Sequence, residues 1–472
     1  MSAILLIAIA RGSLRSLTPG SDSRLSTCTA RRCKARDLPA AGGPPPPFAA
    51  HTVLPLKPTM AFFRNDTVNL LNLHYAIHAL AMSGGGAFFT AFLLRGGVPA
   101  EIVLASIALI VACRFAIRPL MLVPARRFGL RPLVVAGTVL TALQFPLLAE
   151  VHGVGWQLFA WCAFASVGDT LYWTSYHAYF ASLGDTHHRG HQLGAREAIA
   201  AIVGIIGPLA GGWALATLGP RVAFGVTAVV QMLAAAPLFA TPNVGVARRA
   251  PGVLAAALPG VLMFSADGFM AAGFYFVWQI ALFVALDESY TAYGGAVALA
   301  AMVGAAGGLA LGRFIDKGHG RRAAWVATGA VVVAVALRAL SLGNPILAVA
   351  ANAAGALAPT LYVPTLMTAV YNQAKGSPCA LRFHIATEGG WDADAAAGCL
   401  AAAILLWGGA PISLGVLSSL LGAAAIFALL RHYYGAPGAK PLPDTEQPLQ
   451  PTESGAMRGL HAVDDGRHRA DV

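Results

Sequence analysis

Residues 98–150 read VPAEIVLASIALIVACRFAIRPLMLVPARRFGLRPLVVAGTVLTALQFPLLAE, two long apolar runs parted by the basic turn Ala125-Arg126-Arg127-Phe128-Gly129-Leu130-Arg131. Each run is long enough to cross a bilayer, which takes about 20 mainly apolar residues. The pattern repeats in both directions. From Ala61 to Tyr434 the chain is a succession of such runs, joined by short loops that alternate basic and charge-poor. In hydrocarbon only helices or closed barrels satisfy the backbone polar groups, and runs of this length are helical. Composition agrees: 57% of residues are hydrophobic and 11% charged, where a soluble domain carries about 25%. Mean hydropathy is +0.65. These features predict an all-α integral membrane protein.

Twelve spans are predicted, near 67–93, 98–121, 132–150, 153–182, 196–217 and 219–240, then 254–285, 289–311, 323–341, 344–372, 390–409 and 411–432. Lys and Arg in short loops mark the cytoplasmic face. Loops after even-numbered spans hold thirteen of them, against Arg95 and Arg221 alone after odd-numbered spans. Both termini are therefore expected in the cytoplasm. The turn at Arg126–Arg131 has a counterpart half a chain later, at Gly312–Arg322, which divides the spans into two sets of six. Such duplication is a habit of transporter architecture. The expected units are an N-terminal bundle over 61–240, a cytoplasmic linker over 241–253 and a C-terminal bundle over 254–435.

The flanks differ from the middle. Residues 1–60 carry eight Lys/Arg and two acids, and residues 436–472 four Lys/Arg and six acids. Much of the net charge of +11 thus sits in a Pro-rich arm, so a nucleic-acid partner is not expected. Arm and tail are too polar to bury a core and read as disordered. Met60, directly before the first span, reads as the working start, with residues 1–59 dispensable. The six cysteines follow neither a disulfide nor a zinc spacing. Neither metal nor cofactor is expected, and His187-His188-Arg189-Gly190-His191 reads as a polar loop.

Here the chain resembles the major facilitator superfamily. Gly312-Arg313-Phe314-Ile315-Asp316-Lys317-Gly318-His319-Gly320-Arg321-Arg322 is similar to that family's cytoplasmic loop signature, with one extra residue between Lys317 and Gly320. In the first-half copy the family's Gly falls on Leu122 and its Asp on Arg126. Gly207-Pro208-Leu209-Ala210-Gly211-Gly212 in span five resembles the Gly-Pro-x-x-Gly-Gly element associated with antiporters, with Gly194 upstream and Val203 at the intermediate Gly. Arg189–Gly194 resembles the loop leading into span five. The likeness runs over residues 61–435. It implies two pseudo-symmetric six-helix bundles, a central cavity lined by spans one, four, seven and ten, and alternating access. It also implies a gating role at that face for Gly312, Asp316, Lys317, Gly320, Arg321 and Arg322, with Arg127, Gly129 and Arg131 in the first half. Read physically, Gly207, Gly211 and Gly212 form a small-residue packing face, and Pro208 can bend its helix.

Ionisable residues inside spans are costly and mark function by default. Asp169 shares a helical stripe with Trp173, Tyr176 and Phe180, and Asp267 shares one with Phe274 and Trp278. A carboxylate flanked by aromatic rings suits a cation, an amphipathic organic molecule or a proton. His74 and His78, one turn apart in span one, and His177 in span four are further proton or substrate candidates. Span ten, with Asn352, Pro359 and Pro364, is expected to bend, and Tyr362 to face the cavity. Arg114 and Arg118 read as snorkelling or pairing near the cytoplasmic gate, with an anionic substrate as the alternative, and Arg338 reads as snorkelling at the outer end of span nine. Glu388, Asp392 and Asp394 read as charges at the start of span eleven, where acids meet a helix N-terminus.

The expected function is secondary active transport of a small organic solute, proton-coupled and monomeric, in a bacterial inner membrane. No nucleotide-binding Gly-x-x-x-x-Gly-Lys-Ser/Thr occurs. The alternatives are a non-transporting sensor or scaffold and a membrane-embedded enzyme. The loops offer the enzyme no nucleophile, base or metal constellation.

Overall fold

The computed structural model describes residues 65–183, 189–246, 250–315 and 320–435. The N-terminal arm, the tail, His187, His188, Asp316 and Lys317 lie outside the described residues. The chain forms helices α1 (Asp66–Arg95), α2 (Ala100–Phe128), α3 (Leu130–Ala149) and α4 (Trp156–Leu183), then α5 (Arg189–Thr217) and α6 (Pro220–Ala240). The second set is α7 (Val253–Ala285), α8 (Tyr290–Ile315), α9 (Gly320–Ser341), α10 (Pro345–Lys375), α11 (Ala380–Trp407) and α12 (Ile412–Tyr433). Eleven helices among the described residues are long and apolar enough to cross a membrane. The twelfth long helix, α4, has ample length at 28 residues. It carries Gln157, Asp169 and His177 in its apolar run, so its polarity, not its length, sets it apart.

Local chemistry explains the ends. Asn65 caps α1 by accepting from Val68 N at 3.1 Å, and Asn344 caps α10 by accepting from Ile346 N and Leu347 N. Asparagine at an N-cap satisfies amides that the first turn leaves orphaned. Pro220 occupies the first position of α6, where its missing N–H costs nothing. α10 is broken at Ala356 into Pro345–Gly355 and Leu357–Lys375, and α7 contains a π-helical turn over Ala272–Val277.

The outside of the bundle is greasy. Leu340 and Trp407 are each 81% exposed, as are Trp213, Trp325 and Ile346 by more than half. Contiguous apolar exposure on this scale is incompatible with water; these rings and branches face lipid. Inside, α1 packs on α5 and α6, α3 on α4, and α7 on α11 and α12. The most extensive packing between the halves is that of α2 on α11 and α5 on α8.

The crossing at α5 depends on its glycines. A methyl group on Gly211 would lie 1.7 Å from the Gly84 carbonyl oxygen of α1, and one on Gly212 would lie 2.5 Å from that of Tyr290 of α8. Gly207 opposes Ser83, and the Pro208 carbonyl approaches Gly294. The Gly-Pro-x-x-Gly-Gly face therefore touches α1 on one side and the other bundle on the other.

At the end bearing the α2–α3 turn, Gly129 adopts φ +82°, a conformation open to glycine without strain. The segment after α6 is stitched to this turn: Asn243 donates to the Phe128 carbonyl at 2.7 Å, and Arg131 donates to the Thr241 carbonyl at 2.8 Å. Arg127, Arg321 and Arg322 are exposed there. At the opposite end Arg221 forks onto Glu150 at 2.8 and 2.9 Å, and that hydrogen bonding holds the Glu150 carboxyl below its ordinary range.

Candidate functional site

Four buried or half-buried charges lie on two facing helices at matched spacing. Arg114 and Arg118 stand one turn apart on α2, and Glu388 and Asp392 one turn apart on α11. α2 and α11 belong to different bundles. Arg118 donates to both Thr174 of α4 (2.9 Å) and Asp392 (2.8 Å from Nε, 2.5 Å from Nη2), and it pairs with Glu388. It is 1% exposed. Arg114 is shared: Nη2 lies 3.0 Å from Asp392, and Nη1 3.4 Å from Asp169 of α4. Two guanidinium groups thus meet three carboxylates at the centre of the molecule.

Asp267 of α7 belongs to a neighbouring network. It accepts from the Tyr362 hydroxyl of α10 and from Trp391 Nε1 of α11 at 3.0 Å. The Arg114 guanidinium lies 5.8 Å from the centre of the Trp391 ring. Trp391 therefore stands between the lone carboxylate and the ion-pair cluster.

Above this floor is a cavity of about 150 Å³. Its walls come from α1 (Met82, Gly86, Phe89), α2 (Ile107, Ile110, Val111), α3 (Gln144, Phe145, Leu148), α4 (Trp161, Ala165) and α7 (Phe276). Arg114 and Asp169 complete it. Towards the Arg95 end the two bundles meet. Phe88 of α1 meets Tyr293 and Tyr290 of α8 with ring centres 5.5 and 6.4 Å apart, and Phe283 lies 5.6 Å from Tyr290. Arg95 caps this seal, donating to the Glu288 carbonyl at 3.1 Å and lying over the Tyr290 ring.

Of the residues singled out in the sequence, Asp169 lines the cavity, and Asp267 and Tyr362 bond to each other beside it. His74 and His78 lie elsewhere, buried between α4 and α6. His74 reaches the Ala234 carbonyl (2.6 Å) and the Tyr172 hydroxyl (3.1 Å), and His78 reaches Gln231 (3.1 Å). Trp173, Tyr176 and His177 continue this aromatic stack along α4. His177 also lies within electrostatic range of Glu388 and His384.

Phe274 and Trp278 face into the second bundle rather than the cavity. The π turn inserts an extra residue per turn, so the helical stripe starting at Asp267 drifts and Phe276 reaches the cavity instead. Phe274 and Trp278 enclose Arg338, whose guanidinium lies 4.2 and 5.1 Å from their ring centres and donates to the Phe274 carbonyl at 2.7 Å. Trp278 Nε1 donates to Asn352 at 2.9 Å. Arg338 is 5% exposed, so it does not snorkel: a backbone carbonyl and two ring faces hold it inside.

Glu388 and Asp392 also correct the sequence reading. α11 begins at Ala380, ten residues before the predicted start, so these acids lie two to three turns inside the helix and cap nothing. Their partners, Arg114 and Arg118, tie the halves together rather than snorkelling. The complementary i, i+4 spacing of the two pairs was the signal available in the sequence.

Two six-helix halves facing lipid, with a charged cavity walled by the first half and by Phe276 of the second, define the class of a solute transporter. The chain belongs to the Major Facilitator Superfamily, whose sequence profile matches residues 75–377. Its work is membrane transport. No curated protein matches it by sequence. Among solved structures it is similar to a D-xylose–proton symporter, at TM-score 0.59 and 14% identity, over 79% of this chain and 98% of that one. It is also similar to the human organic anion transporter MFSD10 (TETRAN), at TM-score 0.58 and 18% identity, over 77% and 99%. A transporter of the POT family in complex with 5-aminolevulinic acid aligns at TM-score 0.62 and 12% identity, over 81% and 98%. At these identities the likeness speaks to the fold alone.

Proposed function

We propose that the protein is a proton-coupled secondary transporter of a small organic solute, with both termini in the cytoplasm and its cavity reached from each side in turn. The observation that carries this reading is the cavity floor: Arg114, paired with Asp169 of its own bundle, also contacts Asp392 of the other, so occupancy of the cavity acts directly on a tie between the halves. A scaffold has no use for such an arrangement.

Asp267 is the proton carrier in this reading. Asp169, Glu388 and Asp392 share two arginines, whereas Asp267 is held by a hydroxyl and an indole N–H. An ionised carboxylate in hydrocarbon without a cation is costly, and a proton removes that cost when the site is dry. When the halves part and water enters, the proton can leave. Trp391 conveys the change to Arg114, because it donates to Asp267 and faces the guanidinium. The aromatic seal at Phe88, Tyr290 and Tyr293 is the outer gate. The α2–α11 ion pairs are the central one.

Proteoliposomes enclosing a pH-sensitive dye test this. Offered a panel of sugars, amino acids, carboxylates and amines, the protein should move protons with at least one solute. Asp267→Asn should abolish that proton movement while solute still exchanges down its own gradient. Undiminished proton movement in Asp267→Asn would remove this carboxylate from coupling, and solute flux without proton movement in the wild type would make the protein a facilitator.

A further inference from the structure

We infer that the transported solute is a small organic cation whose positive head group takes Asp169 away from Arg114. This rests on the transport reading above and gives it a substrate class.

Among the described residues the central cluster has two guanidinium groups, Arg114 and Arg118, and three carboxylates, Asp169, Glu388 and Asp392. It is one positive charge short. The excess is unevenly placed. Arg118 holds Asp392 Oδ2 and Glu388 with short contacts, and Arg114 reaches the other Asp392 oxygen at 3.0 Å. Charge-assisted N–H···O bonds run at about 2.7–2.9 Å, so the 3.4 Å between Arg114 and Asp169 is a slack contact. Asp169 is the loosely held acid.

It is also the accessible one. The Asp169 side chain is 24% exposed, against 16% for Glu388 and 0% for Asp392, and of the three acids only Asp169 lines the cavity. His177 and His384 face Glu388 from α4 and α11, so neither supplies the missing charge at the cavity.

The walls fit a cation. Phe89, Phe145, Trp161 and Phe276 present rings around the space, and aromatic faces attract ammonium groups within about 6 Å. Gln144 is the one neutral amide on the lining. An anion finds the opposite. The single cation on the lining, Arg114, is already shared by two carboxylates, and any anion entering meets Asp169. At about 150 Å³ the space holds a head group or small amine, whereas drug-sized pockets run to about 300–1,000 Å³.

Binding then has a mechanical consequence. With its carboxylate taken by the solute, Arg114 passes wholly to Asp392, which strengthens the α2–α11 tie across the bundles. The solute closes the halves by completing a charge set that straddles them.

Calorimetry on the purified protein decides the matter with tetramethylammonium, tetraethylammonium and phenyltrimethylammonium as probes, against tert-butanol and benzenesulfonate. At least one ammonium should bind tenfold or more tighter than either control. Asp169→Asn should weaken it at least tenfold, Asp169→Glu should retain it, and Arg114→Gln should tighten it several-fold by removing the competitor. Preferential binding of benzenesulfonate, wild-type ammonium affinity in a folded Asp169→Asn, or no ammonium binding at all overturns the inference. Each of those results leaves Asp267-dependent proton movement with a neutral or anionic solute intact, so the transport reading stands or falls separately.

Discussion

Replacing Arg118 by leucine is expected to leave the protein largely unfolded in detergent. The side chain is fully buried and holds Asp392 and Glu388 of the other bundle together with Thr174 of its own. Removing one partner of a buried ion pair costs about 3–5 kcal/mol, because the remaining charge has neither water nor a counter-ion. Here two acids lose their main partner at once. Neutralising them should undo much of the damage: Arg118→Leu combined with Glu388→Gln and Asp392→Asn should recover a sharp thermal transition. That triple variant should not recover transport, because the tie between the halves is gone. Thermal unfolding and size-exclusion profiles check both statements. A folded, active Arg118→Leu single variant would show that the cluster holds nothing.

The second large effect is expected at Gly211. A Cβ there meets the Gly84 carbonyl at 1.7 Å, far inside contact distance, so α1 and α5 must separate. Overpacking of this kind costs about 1–3 kcal/mol and occasionally more. The shift also propagates, since the adjacent Gly212 contacts Tyr290 of the other bundle. Gly211→Ala should therefore lower the thermal midpoint and impair transport together. Gly225→Ala is the matched control: its Cβ meets nothing within 4 Å, and alanine favours helix over glycine. Gly225→Ala should be neutral or stabilising, and equal effects at the two sites would refute the close packing of α1 on α5.

The helices and their pairing into halves were legible because hydrocarbon imposes its requirement on every residue of a span. Run length and the Arg126–Arg131 turn report that requirement directly. The site was only partly legible. Asp169 and Asp267 stood out because a carboxylate in an apolar run has no other excuse, and Tyr362 because it lay on a bent span. Arg114 and Arg118 were visible too, yet their partners lie some 270 positions away on α11, a pairing that no local pattern carries. The late start assigned to α11 hid those partners further, since Ala380–Gly389 is too polar to read as a span by itself. Phe274 and Trp278 failed for a different reason. A regular helical stripe was assumed through Ala272–Val277, and a π turn cannot be seen in spacing alone. Arg338 was misjudged because nothing in α9 announces the rings of α7 that receive it.

Access to the cavity from both faces is the claim on which the rest depends. With the native cysteines replaced, Ala165→Cys places one thiol on the cavity wall a turn from Asp169. A charged, membrane-impermeant thiol reagent is then applied to either side of proteoliposomes, with and without a cross-link between cysteines at Arg95 and Glu288. Labelling is expected from both faces, with loss of labelling from the cross-linked face alone once the link is closed. Labelling confined to one face in the unlinked protein, or none from either, would contradict it.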